Sequence, residues 1–177
     1  MRRILGDHVD APAFARAADL LLKAATSAPY EGRPMYAALR AIPIPDDVVA
    51  RLFHAASLLR EHRGDGHIAA LMIEGVGGLE AHVFLALDMG MPAEKFGRIH
   101  HLPAAQLAAV IDGMRDRSLI GDDGWLSEPG RAVKQRVEAL TDDLAAKPYE
   151  SLEPDELDEL VAALEPLASL LLAAQDW

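Results

Sequence analysis

The chain contains no cysteine in 177 residues, which removes disulfide staples and thiolate chemistry from consideration. Aromatic residues are scarce, with four Phe, three Tyr and two Trp. A β-sandwich draws heavily on aromatic and β-branched side chains, so this balance favours close-packed helices. No uninterrupted run of about 18 apolar residues occurs, and a helical membrane span is therefore not expected. The opening Met-Arg-Arg-Ile-Leu-Gly-Asp lacks the apolar stretch of a signal peptide, and the expectation is a soluble, cytoplasmic protein without a membrane partner. Positive charge is also short: 17 Lys and Arg stand against 28 Asp and Glu, a net charge of −11. A nucleic-acid binder usually carries a basic footprint, because phosphate neutralisation supplies much of its affinity. The acidic balance counts against DNA without excluding it, since only the contacting face matters.

What is present is helical periodicity broken by glycine and proline. Phe14, Ala17, Ala18, Leu21, Leu22 and Ala25 recur at helical spacing after Pro12, with Asp10 available as an N-cap. Residues 27–45 hold four prolines and a glycine, so they read as a connector with one short helix around Met35 to Ala41. Residues 1–45 are accordingly taken as a helical extension and connector, and 46–177 as the main domain. That domain starts with a long helix after Asp46 or Asp47, closed by Gly75, Gly77 and Gly78. Short helices are expected over Leu79 to Met89, from Pro92 to about His100, and from Pro103 to Arg117. Leu119-Ile120 and Trp125-Leu126 flank Asp-Asp-Gly and read as a small β-hairpin. A helix follows from about Arg131 to Ala146, and a last one from Pro154 to Ala174 with a kink at Pro166. The expected fold is mostly α: a winged helix-turn-helix with a small β-hairpin wing and long flanking helices.

The most unusual stretch is Leu58 to His67, Leu-Leu-Arg-Glu-His-Arg-Gly-Asp-Gly-His. Glycine costs about 1 kcal/mol relative to alanine inside a helix. Gly64 and Gly66 are therefore expected where a backbone, a ligand or a partner comes close. On a helical wheel His54, Leu58, Glu61, Asp65, Ile68 and Met72 fall within an arc of about 80°. Glu61 and Asp65, four residues apart, form a carboxylate pair that could couple protons or receive a cation. Arg63 falls inside the expected apolar stripe, where a charge needs a partner. One reading is a small-molecule pocket formed by Glu61, His62, Arg63, Asp65, His67 and His54, with Arg63 on an acidic ligand and His62 or Glu61 exchanging protons. The other is an internal ion-pair network in which a glutamate such as Glu80 holds Arg63. His62 and His67 diverge by about 140° on a helix, so no metal site is assigned and no cofactor is implied.

Met114 to Gly130 resembles the MarR-type winged helix, in which a recognition helix ends in a basic turn before Gly-Leu-Ile, and Leu-Thr-x-x-Gly opens the dimerisation helix after the wing. Ser118 stands here for the usual glycine and Ser127 for the threonine. The string Leu58 to His67, with Val137-Glu-Ala-Leu-Thr-Asp-Asp-Leu144 and Pro148, resembles the actinobacterial SalK-like helix-turn-helix family over most of the chain. Members of that family are typically longer, which implies a short form or the C-terminal portion of one.

The resemblance implies a recognition helix beginning Pro103-Ala-Ala-Gln106. Of its first residues only Gln106 can read a base edge. Lys95, Arg98, Arg115 and Arg117 could contact phosphates or be solvated surface charges, while Asp122-Asp123-Gly124 at the wing tip would repel DNA. Leu157 to Ala174 would suit a homodimer interface. The expected function is a small-molecule-binding, winged-helix, ligand-responsive transcriptional regulator. The alternative is an enzyme or accessory protein of specialised metabolism using the His/Glu/Asp/Arg pocket without DNA.

Overall fold

The computed structural model describes residues 2–97 and 99–174. Among these the helices are α1 (Arg2–Leu5), α2 (Pro12–Ser27), α3 (Pro34–Arg40), α4 (Val48–Ile73), α5 (Gly78–Asp88), α6 (Ala104–Asp116), α7 (Glu128–Ala146) and α8 (Pro154–Ala173). Pro12, Pro34 and Pro154 each open a helix, where the missing N–H has no intrahelical partner to lose. Asp47 caps α4, its Oδ1 accepting from the Ala50 N–H at 2.9 Å as an N-cap carboxylate does. Asp10 does not play that part for α2, whose N-cap is Ala11 without a side-chain bond. Pro166 sits within α8, which continues past it.

The chain divides into two compact units, residues 1–66 with 143–177 and residues 67–142. In the first, α2 packs on α8, and Phe14, Ala18 and Leu21 join Leu160, Leu167 and the α4 residues Leu52, Ala55 and Leu58 in one core. In the second, Val83 and Leu87 of α5 pack with Leu107 and Met114 of α6, closed by Phe96, Ile99, Leu119 and Leu126.

Two sequence expectations fail in the second unit. No β-strand occurs among the described residues, so the winged fold with its β-hairpin is corrected to an all-α one. In the wing's place is one antiparallel bridge, Ile120 to Leu126. Its length is limited from both sides. Ser118 adopts a left-handed φ of 58° two residues before it, and Ser127 immediately after it already accepts from the Gly130 N–H at 3.0 Å to start α7. The expected helix from Pro92 to His100 is reduced to a 3-10 turn over Ala93–Lys95, ended where Phe96 turns extended (φ −76°, ψ 120°) to place its ring in the core.

α4 runs through both internal glycines without a break. Its buried positions begin Val49, Leu52, Ala55, Leu58 and continue Leu59, His62, Asp65, Gly66. Three-residue steps slip about 60° around a helix, and the single-residue step from Leu58 to Leu59 turns back about 100°, so these positions stay on one broad face. Arg63, placed in the apolar stripe by a straight 3.6 pattern, lies within about 20° of the buried Leu52 and Ala70 on the helical wheel, yet it is exposed while its neighbour His62 is buried.

No single helix among the described residues is long and apolar enough to cross a membrane; α4 and α5 reach that composition only together, across a 99° bend.

Candidate functional site

The polar segment of α4 folds into two separate environments. In the first unit, His62 and Asp65 are buried, at 1% and 5% exposure, with Arg33 at 8%. Arg33 comes from the proline-rich connector, just ahead of α3. Its Nη1 donates to the His62 carbonyl oxygen and its Nη2 to that of Leu144 at 2.8 Å, near the C-terminal end of α7, where unsatisfied carbonyls favour a cation. Burial lowers the Arg33 pKa and the nearby Asp65 carboxylate works against that shift. Asp65 Oδ2 accepts from the Tyr36 N–H at 2.9 Å, satisfying the first turn of α3. The fully buried Tyr36 hydroxyl donates to Ala25 O at 2.6 Å. Gly66 makes this close approach possible: a Cβ there would lie 2.3 Å from Arg33 Nη1 and 3.2 Å from Leu144 Cβ.

His62 is the anomaly of this cluster. Neither ring nitrogen has a hydrogen-bond partner among the described residues, and the ring meets Tyr36 edge to face with centroids 5.2 Å apart. Burial first, and repulsion from Arg33 second, push its pKa below the usual 6.5, with Asp65 pulling the other way. The native state thus excludes a proton that the unfolded chain accepts. The stability tied to His62 is complete above the unfolded value and declines as pH falls below it toward the lower native value. A buried polar group without a partner costs about 1–3 kcal/mol, so His62→Leu is expected to raise Tm at pH 7 and to flatten the acid side of the Tm–pH curve below 6.5. An unchanged or lower Tm would mean that the imidazole is satisfied in solution.

The remaining segment residues do not join that cluster. Glu61 pairs with its exposed neighbour Arg60, His54 lies half-buried two turns earlier, and Arg63 faces outward. Glu80, the expected partner of Arg63, is instead held by Arg117 Nη2 at 2.6 Å while its other oxygen accepts from the Gly77 N–H at 2.8 Å.

His67 belongs to the second unit. Thr141 donates its single hydroxyl proton to Val137 O at 2.6 Å, so it accepts from His67 Nδ1, 3.0 Å away; the proton is thereby assigned to Nδ1. His67 also lines a cleft of about 180 Å³ bounded by the last turns of α4, α5 and α7. Leu71, Phe84, Leu85 and Val133 supply apolar wall, and His82, Lys134 and Glu138 supply polar groups. Lys134 pairs with Glu138 one turn along α7 and with Asp88 at 3.8 Å. Apart from His67, in the string 58–67, and Glu138, in the string 137–144, the cleft residues named carry no local motif in the sequence; they are scattered through ordinary amphipathic helices. Among the described residues no group of three or more His, Asp or Glu is placed to hold a metal ion.

The helix pair α5–α6 forms the rest of the candidate site. α5 packs against α6, and the outer face of α6 exposes Ala104, Ala105, Gln106, Ala108 and Ala109. No side chain caps its N-terminus and its first turn holds no acidic residue. Lys95 is exposed beside this pair and makes no ion pair among the described residues. Arg115 bonds Asp112 at 2.9 Å, and Arg117 bonds Gly75 O at 2.7 Å as well as Glu80, so both arginines have intramolecular work. Arg98 lies outside the described residues.

Neither a curated protein nor a solved structure matches the chain. The helix-turn-helix family matches it over residues 1–177. Two packed helices ahead of a bridged turn, within an all-α chain matched along its whole length, are of one piece with that finding, and the chain belongs to this helix-turn-helix family, whose fold is in general that of DNA-binding regulators.

Proposed function

We propose that the protein is a ligand-responsive regulator in which α6 meets DNA and a small molecule in the cleft of the second unit sets how well it does so. The observation that carries this reading is the double duty of α5. Ala81, His82 and Leu85 face the cleft, while Val83 and Leu87 on the same helix share a core with Leu107 and Met114 of α6. A ligand that shifts α5 therefore acts on the helix that would read DNA, and a ligand biases a two-state element only through such differential contacts.

The uncapped, non-acidic start of α6 supports phosphate contact through the backbone N–H groups of Ala104 and Ala105, as helix N-termini provide. Gln106 would then face a base edge and Lys95 a flanking phosphate. With Arg115 and Arg117 already engaged, few cations remain, so the salt dependence of binding should be shallow: each phosphate neutralised adds a slope of about −0.9 to log K against log salt. Lys95→Ala is expected to make the slope shallower by about one unit and to weaken all duplexes alike. An unchanged slope would remove Lys95 from the interface.

Two finer readings go with this proposal. The kinship with SalK-like proteins is supported by the string 58–67, whose His62, Asp65 and Gly66 surround Arg33. Pairing with a second copy through α8 is supported by Val161 and Leu172, exposed at 55% and 69% on its outer side. Sedimentation equilibrium of wild type and a Val161→Glu, Leu172→Glu variant checks it: a dimer that the variant splits is expected, and a monomeric wild type would contradict it.

A further inference from the structure

We infer that the cleft of the second unit takes an uncharged single-ring aromatic molecule bearing one hydrogen-bonding group. The inference rests on the ligand-responsive reading and specifies its ligand.

Size sets the first limit. The cleft measures about 180 Å³, close to the cavity of about 150 Å³ that accommodates benzene in another protein. One ring with a small substituent fills it. The walls set the second. Leu71, Val76, Phe84, Leu85, Val133 and Val137 surround the space with apolar surface, and the Phe84 ring offers an aromatic face or edge to stack against.

Charge sets the third limit. The cation lining this cleft, Lys134, is already held by Glu138 and lies 3.8 Å from Asp88. Two carboxylates around one ammonium leave no positive surplus for an anionic ligand, which would have to break the Lys134–Glu138 pair and meet both carboxylates at close range. A cationic ligand would meet the Lys134 ammonium, whose side chain is only 17% exposed, at close range. A neutral ligand meets neither penalty. His82 supplies an imidazole able to exchange a hydrogen bond with its polar group, and the His67 ring beside it is held in orientation by Thr141.

Three probes of similar size separate the charge classes: benzyl alcohol, benzoate and benzylamine, titrated into the 177-residue chain by calorimetry near pH 7. Benzyl alcohol is expected to bind more tightly than either ion by roughly tenfold or more, since an imperfectly paired charge is the larger penalty. Val133→Phe should fill the cleft and abolish that binding while circular dichroism shows the helices intact. Glu138→Gln should improve benzoate selectively by releasing Lys134. Benzoate or benzylamine binding best to wild type would overturn the ligand class. Binding of benzyl alcohol that survives Val133→Phe, or no binding of any probe, would overturn the cleft as its site. DNA affinity is read separately, so a protein that binds DNA but no probe loses this inference and keeps its helix-turn-helix role, and the converse result separates the two in the other direction.

Discussion

Gly130→Ala is expected to destabilise the unit formed by residues 67–142 strongly. The added Cβ would stand 2.1 Å from the carbonyl oxygen of Leu119 and 3.0 Å from its carbon. Both are backbone atoms, so no rotamer change relieves the clash. The same carbonyl receives the Ser127 N–H at 3.1 Å, and Ser127 Oγ both donates to Ser118 O at 2.5 Å and caps α7 by accepting from Gly130 N. Pushing the first turn of α7 away from Leu119 therefore breaks the cap and the single bridge together. Overpacking typically costs about 1–3 kcal/mol and occasionally more. Against a rigid backbone we expect the upper end, about 3 kcal/mol, and a fall in Tm of roughly 6–12 °C at about 2–4 °C per kcal/mol for a chain of this size. A melting curve indistinguishable from wild type would mean that α7 does not sit on Leu119 in solution.

The second large effect is a contrast of sign within one helix. Gly64→Ala adds a methyl with no atom within 4 Å, and it should stabilise by the helix-propensity difference of about 1 kcal/mol. Gly66→Ala gains the same propensity but puts its Cβ 2.3 Å from Arg33 Nη1. The guanidinium must then leave, giving up its bonds to the His62 and Leu144 carbonyls and its place beside Asp65. Hydrogen bonds to charged groups contribute about 1.5–3 kcal/mol each, so losing two against the propensity gain leaves a net expected loss of about 2–5 kcal/mol. Chemical denaturation of both variants checks the signs. In an Arg33→Ala background, Gly66→Ala should turn stabilising, because the group it displaces is gone. If it stays destabilising there, the close approach of Arg33 is not what Gly66 serves.

That pair of glycines also marks how far the sequence could be read. A costly glycine at position 66 signals that something must lie against the backbone, and something does. Nothing local says that it is Arg33, which sits 33 residues earlier in a connector with no periodic pattern. Helix starts were legible because proline and aspartate act within a turn, as at Pro12, Pro34, Asp47 and Pro154. The hairpin was misread because alternation around Asp-Asp-Gly is a local signal, whereas its length was decided by Ser118 and Ser127 at its edges. Arg63 holds an apolar-stripe position in the 3.6 pattern, beside Leu52 and Ala70 on the wheel, and its exposure is decided by what packs on that turn of α4, which no local pattern carries. Of the segment 61–67, His62 and Asp65 join the buried cluster and His67 the cleft, a division that depends on which tertiary partner each turn of α4 meets.

The measurement that tests the central proposal most directly is fluorescence anisotropy of a labelled mixed-sequence DNA duplex at low salt, titrated with wild type and with Val133→Phe. Wild type is expected to raise the anisotropy, the signal to fall on adding salt, and the filled cleft to shift the DNA Kd several-fold through α5. A wild-type protein that leaves the anisotropy flat at low salt, or a Val133→Phe curve that superimposes on the wild-type one, would contradict a regulator whose hold on DNA is set from that cleft.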